Sequence, residues 1–350
     1  MGFPVLRLSS LVFDNVYKFL DIPDIIVFSQ CSRSMKAIVK SKESPSKRYC
    51  LYVPIGAHKT CVRLTKHNDR PFKFLFTWIL CKNEKPTWDA DRVISNDGAR
   101  IGAVELTMRE EEDEWNTWVK KDYYEKKLLA ITELLKDIFH CTIVQVSLYE
   151  NAGASFRKLF IESDKLHVVD TIEFYHDTCT QEEMTFLLDH FTVNWLILKT
   201  DCGPGFSYSK PLKQYPRLEL KNSRWLNLDH LLNLTKTAIF LELENADMIT
   251  DKDLNQFIKW WIGSDNKQLK VVYLNRSNGD RDRTVIMEGI QSTPARAKRR
   301  NEISYCGFIS EECYDKGLDI CRKDGVQATV MVENTWFALG VLKKQNRGSN

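Results

Sequence analysis

From Ser10 to Val39 the apolar positions fall into three short helical runs. Leu11, Val12, Val16, Phe19 and Leu20 recur at the three- and four-residue intervals of one helix face, with Phe13 and Tyr17 outside it. This spacing predicts a helix that starts at Ser9 or Ser10, whose hydroxyl caps a free backbone N–H, and runs to about Leu20. Asp21-Ile22-Pro23 stops it, because proline disfavours a helical residue before it and opens the next helix well. Ile25, Ile26, Val27 and Phe28 carry a second helix, and Ser32 caps a third through Met35, Ile38 and Val39. So small a unit buries too little surface to stand alone. Its apolar excess calls for cover by the rest of the chain or by another protein.

After Tyr49 the period changes. Cys50 to Val53, Cys61 to Leu64 and Phe72 to Leu80 are rich in β-branched and aromatic residues, with Pro- and Gly-containing breaks between them. Ile101 to Leu106 reads as a further strand. Trp115, Val119 and Tyr123, then Ile131, Leu134, Leu135 and Ile138, predict one long helix from about Glu110 to Phe139. The acidic run Glu110 to Glu114 would sit at its N-terminus, where carboxylates oppose the helix dipole.

Next, short strands alternate with helices at a near-constant interval. The strands are Val144 to Leu148, Thr171 to Tyr175, Trp195 to Lys199, Arg217 to Lys221, Ile239 to Glu244 and Lys270 to Leu274. Thr180 with Glu183 and Thr250 with Asp253 make capping boxes, each followed by apolar residues at helical spacing. Asn227 opens a shorter version, and Gly263 reads as a helix stop. Within the strands Ile172, Phe174, Leu196, Leu198, Leu218, Leu220, Leu241 and Leu243 point inward, while Glu219, Lys221, Glu242 and Glu244 point out. A strand-plus-helix unit cannot bury its own apolar face, but stacked units bury a continuous core. The pattern is that of an irregular leucine-rich-repeat-like array, with asparagines one place off the usual position at Asn222 and Asn245. An ordinary α/β layer is the alternative.

Beyond Asn275 the stretches Gly279 to Arg283 and Gln291 to Asn301 read as polar loops, with a basic group at Arg296, Lys298, Arg299 and Arg300. Too few charges and no interleaved aromatics are present there for a nucleic-acid site. Leu318 to Arg322, the turn Lys323-Asp324-Gly325 and Val326 to Val332 make a β-hairpin. Trp336 to Leu342 is a third strand, and together the three would close the end of the array.

Composition narrows this little further. The 350 residues allow two or three domains, 43% hydrophobic content is that of a globular chain, and net charge +3 makes no case for nucleic acid or membrane. No secretory leader pattern follows Met1 and no apolar run is long enough to span a membrane. The expectation is an intracellular protein, cytoplasmic or nuclear. Ten cysteines contain no CxxC pair, so they read as buried free thiols, and no metal or cofactor is expected. There is no phosphate-binding glycine loop and no nucleophile elbow. His176-Asp177 near Cys179 is a loop grouping without a positioned base.

The opening stretch, Leu8 to Met35, resembles an F-box without a gap. Leu8-Ser9 stands where that family usually has Leu-Pro, Val16 and Leu20 on its first helix, Asp21, Ile25 and Phe28 on its second, and Cys31-Ser32-Arg33 where Val-Cys/Ser-Lys/Arg is common. It departs at Ser9, at Pro23, which sits one place late, and at Met35, where Trp is frequent. Residues 50–342, with Gly317 to Val330 the most recognisable part, are similar to the type 2 F-box-associated region of nematode F-box proteins. The fold expected is α+β with an α/β repeat: an F-box at 1–45, a β-rich unit and long helix at 46–140, the leucine-rich-repeat-like array at 141–278, and a polar loop with a β-hairpin cap at 279–350. The resemblance implies a substrate-recognition subunit that is not itself an enzyme. It would dock a Skp-type adaptor, and through it a cullin ligase, by Leu8, Ser9, Val16, Leu20, Ile25, Phe28 and Cys31. Outward strand residues Tyr175, Lys199, Lys221, Glu244 and Asn275 form one column for a protein target. The competing reading is a hydrolase or transferase on an α/β layer.

Overall fold

A computed structural model describes residues 10–43, 49–56, 59–66, 74–82, 100–101, 104–105, 108–111, 114–119, 124–149, 169–295 and 316–342. Leu8, Ser9 and the basic group at 296–300 lie outside the described residues. The chain divides into two compact units, Met1–Ile172 and Glu173–Asn350.

The first unit opens with α1 (Ser10–Tyr17), α2 (Ile22–Cys31) and α3 (Arg33–Lys42). The Asp21 carboxylate accepts from Asp24 N at 2.9 Å and starts α2, and the Ser32 hydroxyl accepts from Met35 N at 3.0 Å and starts α3. Helix α1 stops at Tyr17, three residues before the expected end, and Lys18 and Phe19 form a turn. Strands β1 (Tyr49–Ile55), β2 (Lys59–Lys66) and β3 (Phe74–Lys82) then make an antiparallel meander. Its core is Leu51, Ile55, Val62, Leu64, Phe76, Trp78 and Leu80, all fully buried. The further strand expected around Ile101 is a pair of two-residue strands, β4 (Arg100–Ile101) and β5 (Val104–Glu105).

The long helix expected from Glu110 is a correction. Among the described residues its first half is two antiparallel strands, β6 (Met108–Glu111) and β7 (Glu114–Val119), and the helical part is Tyr124–Phe139, α4. Trp115, Thr117 and Val119 alternate as well as Trp115 and Val119 repeat at four, and pairing decides between the two periods. Strand β7 lies parallel to β3, with Trp78 opposite Trp115 and Leu80 opposite Thr117. Glu110, Glu111 and Glu114 of the acidic run therefore lie in strands and not at a helix start. Helix α4 buries Leu128, Ile131, Leu135, Ile138 and Phe139, and Asp137 on it pairs with Lys36 at 2.7 Å and Lys40 at 2.5 Å of α3. Strand β8 (Thr142–Leu148) returns parallel to β1.

In the second unit β9 (Thr171–Thr178) neighbours β10 (Trp195–Asp201), and β10, β11 (Arg217–Leu220), β12 (Phe240–Leu243) and β13 (Val271–Asn275) are parallel. Helices α5 (Gln181–His190), α6 (Leu228–Thr235) and α7 (Asp251–Gly263) connect them, and no helix joins β10 to β11. All three helices carry the reciprocal cap, on Thr180, Asn227 and Thr250. Gly263 is the last residue of α7 rather than a left-handed stop, and Ser264 caps the helix.

Register aligns Leu196, Leu218, Leu241 and Val272 in one row and Leu198, Leu220, Leu243 and Leu274 in another. Both rows are buried, and Phe257 of α7 meets Phe337 edge-on at 6.3 Å on that side of the sheet. The expected polar loop at Gly279 to Arg283 holds a buried residue. The Arg281 side chain donates to Ile249 O at 2.7 Å and to Asp251 at 3.2 Å, next to the short α8 (Arg283–Ile286). Strand β14 (Thr293–Pro294) follows. Then β15 (Leu318–Cys321), β16 (Gln327–Glu333) and β17 (Trp336–Val341) form a meander whose last strand pairs antiparallel with β13. Gly325, at φ 81°, makes the turn between β15 and β16.

Candidate functional site

The inward side of α1 is Phe13 and Tyr17, one turn apart and stacked at 5.9 Å, not the Val16–Leu20 side that spacing favoured. The Tyr17 hydroxyl donates to Glu43 Oε1 at 2.6 Å, and Glu43 is only 2% exposed. Burial, with Glu43 next to it, pushes the Tyr17 phenol well above its usual range. Helix α2 buries Pro23, Ile25, Ile26 and Ser29, and α3 buries Met35 and Val39. With Phe13 and Tyr17 inward, part of the apolar set is left outside. Phe19 is 89% exposed, Val16 38% and Val27 39%.

Of the residues assigned to an adaptor, Val16 and Cys31 are exposed, Leu20 and Phe28 half-buried, and Ile25 buried. Leu20 and Ile25 line a cavity of about 670 Å³ with Tyr17, Glu43, Tyr49 and Leu75. Ile25, 5% exposed, is on the inner side of α2. Sequence reasoning placed Phe19 on the apolar stripe of α1 but not among the exposed residues. The early end of α1 puts it on a turn.

The column assigned to a target is brought together only in part. Lys199 Nζ lies 3.4 Å from Glu244, but also 3.3 Å from Glu219 and 3.6 Å from Glu242. Lys221 is exposed, Tyr175 is half-buried on β9, and Asn275 accepts from Asn245 N at 2.7 Å. Glu219 and Glu242 point away from the leucine rows as expected, yet both are only 7% exposed. Burial raises the Glu242 carboxyl above the usual glutamate range, against the opposing pull of Lys199. Burial works against the Lys199 ammonium, but Glu242, Glu219 and Glu244 together outweigh it and raise its pKa.

Asn222 and Asn245 bridge neighbouring turns of the parallel strands. Asn222 donates to Asp201, and Asn245 Nδ2 donates to Lys221 O at 2.9 Å. His176 stacks on Phe174 at 5.9 Å, and burial pushes the Cys179 thiol up, the opposite of what an activated nucleophile needs. No helix among the described residues is long and apolar enough to cross a membrane.

Comparison with known proteins follows the same division. Residues 5–47 match the F-box domain family, and residues 210–274 match the family described as F-box associated. A Caenorhabditis elegans protein, uncharacterized protein F59B2.8, is 21% identical over 341 residues, spanning 95% of this chain and 74% of its own length. No solved structure matches the chain. The chain thus carries a match to the F-box domain near its start and, further on, a match to the F-box-associated family. Those two families are non-catalytic and provide substrate recognition for ubiquitin ligases through protein–protein contacts.

Proposed function

We propose that this chain is the substrate-recognition subunit of a Skp–cullin–F-box ubiquitin ligase. The observation that carries the proposal is the exposure of Val16 on α1, Phe19 on the turn after it and Val27 on α2, where Phe13, Tyr17, Ile25 and Ile26 take the inner side. Apolar side chains held out on a small rigid unit are covered at little entropic cost when a partner with an apolar groove arrives. Leu8, Ser9, Val16, Leu20, Phe28 and Cys31, joined by Phe19, make the adaptor surface, and Ile25 holds it from below. The chain divides functionally at 1–45, 46–140, 141–278 and 279–350. Its aligned leucine rows and bridging asparagines support a leucine-rich-repeat-like reading of the third part. The column Tyr175, Lys199, Lys221, Glu244 and Asn275 faces the target. No group on this chain needs to react. Holding a target near a charged ubiquitin-conjugating enzyme raises the effective concentration of its lysines.

The test is capture of a purified Skp-type adaptor by the full chain. Wild type should retain the adaptor through size-exclusion chromatography. Leu20→Asp should lose it, because placing a carboxylate in an apolar contact costs several kcal/mol. Co-elution of Leu20→Asp at wild-type strength, or no capture by wild type, removes the proposal.

A further inference from the structure

On the face of β10–β13 opposite the leucine rows, three carboxylates share one ammonium. Lys199 stands between Glu219, Glu242 and Glu244 at 3.3, 3.6 and 3.4 Å. None of these contacts reaches the roughly 2.7–2.9 Å of a strong charge-assisted hydrogen bond, so the lysine is shared among the three and drawn close to none. Glu219 is otherwise served, since Trp195 Nε1 donates to it at 3.0 Å. Glu242 is not: it is 7% exposed, and its buried Oε2 has no hydrogen-bond partner. A buried carboxylate oxygen without a donor is a costly arrangement and marks a place where a donor fits.

The surroundings define that donor. Tyr273 stands beside Glu242 in register, and its ring stacks at 6.0 Å on Trp336 of β17. The cluster opens to solvent at Lys199 and Glu244, whose side chains are 23% and 30% exposed. Among the described residues no three carboxylate, thiol or imidazole groups are placed to hold a metal ion. A cationic side chain is what remains. A guanidinium suits it better than an ammonium, because it donates to two carboxylates in one plane and stacks on aromatic rings.

We infer that the cluster of Lys199, Glu219, Glu242 and Glu244 takes an arginine side chain from an exposed segment of the target protein, with Lys199 occupying the place until it arrives. The inference rests on the reading that the second unit holds the target. It names the chemistry that region recognises.

The test uses the full chain and a fluorescein-labelled peptide of alternating arginine and glycine, read by fluorescence anisotropy. Citrulline-for-arginine and lysine-for-arginine peptides serve as controls. The arginine peptide should bind, the lysine peptide should bind more weakly, and the citrulline peptide should not bind. Glu242→Gln and Glu244→Gln should each weaken binding by about tenfold or more, the loss of one charge-assisted contact. Lys199→Met should strengthen it. Equal binding of the citrulline or lysine peptide, unchanged affinity in both glutamine variants, or absence of arginine-peptide binding overturns the inference. Should Lys199→Met fail to fold by circular dichroism, Glu244→Gln decides, since its side chain is partly exposed and the change keeps its shape. Adaptor capture is measured on the same preparations. Loss of peptide binding with capture intact removes this inference alone, and loss of capture with peptide binding intact removes the ligase reading alone.

Discussion

Glu43 is almost fully buried, and the Tyr17 hydroxyl meets it at 2.6 Å. That contact fastens the end of α1 to the end of α3, so it sets the attitude of the helices whose outer sides carry Val16 and Phe19. Tyr17→Phe keeps the ring stacked on Phe13 and removes only the donor. It should cost about 1–3 kcal/mol of unfolding free energy, the penalty for taking a hydrogen bond from a buried carboxylate. Urea denaturation followed by tryptophan fluorescence measures it, and a change below a few tenths of a kcal/mol would mean that the bond is incidental.

Glu242 behaves in the opposite sense. Its folded-state pKa is raised, by burial first and by its acidic neighbours next. The folded chain therefore holds this proton more tightly than the unfolded chain, and the ionised carboxylate opposes folding. Stability from this group is greatest below the ordinary glutamate value and is lost as pH rises through the raised one. Glu242→Gln lacks that dependence. The stability of wild type relative to Glu242→Gln should thus fall as pH is taken upward from the ordinary glutamate range. A difference that rises with pH instead would show that Lys199 outweighs burial there.

At the scale of the element, caps and periods act differently. Helix α7 begins at Thr250, whose hydroxyl accepts from Asp253 N at 3.2 Å while Asp253 accepts from Thr250 N at 2.8 Å. The helix carries Leu254, Phe257, Ile258 and Trp261 into the core. Thr250→Ala should lower stability by about 1 kcal/mol, and thermal unfolding should show a lower midpoint with an unchanged folded spectrum. An unchanged midpoint would mean that packing alone positions α7.

This cap was legible in the sequence, as were those on Ser32, Thr180 and Asn227, because each is a contact among residues three apart. The leucine rows were legible because one face of each strand is uniformly apolar. The pair β6 and β7 was not, since Trp115 and Val119 satisfy a four-residue repeat and a two-residue alternation alike. Strand β3, more than thirty positions earlier by its register with β7, settles the choice. The exposure of Phe19 was hidden for a related reason. Spacing shows that a helix has apolar sides but not which one the rest of the unit covers, and here Phe13 and Tyr17 took the inner side. The burial of Glu219 and Glu242 also depended on register, which aligns Glu219 with Glu242 across β11 and β12.

At the scale of the whole molecule, the proposed adaptor surface belongs to the first unit and the carboxylate cluster to the second. Each can then be removed without loss of the other, provided the substitution leaves its own unit folded. Phe19 and Ile25 make the sharpest pair for the first unit, because they lie on the same helical trio with opposite burial, 89% and 5% exposed. Phe19→Asp adds a charge to a residue already in water. It should leave unfolding free energy within about 0.5 kcal/mol of wild type, yet abolish adaptor capture by desolvating a carboxylate in the contact. Ile25→Asp buries that carboxylate inside the chain itself and should lose both folding and capture, at a cost of several kcal/mol. Arginine-peptide binding should survive Phe19→Asp unchanged and weaken about tenfold or more in Glu244→Gln, which should capture the adaptor as wild type does. Denaturation, adaptor capture and anisotropy on the same variants read all of this. If Phe19→Asp folds normally and still captures the adaptor at full strength, its exposed ring plays no part in docking, and the surface must lie elsewhere on the three helices.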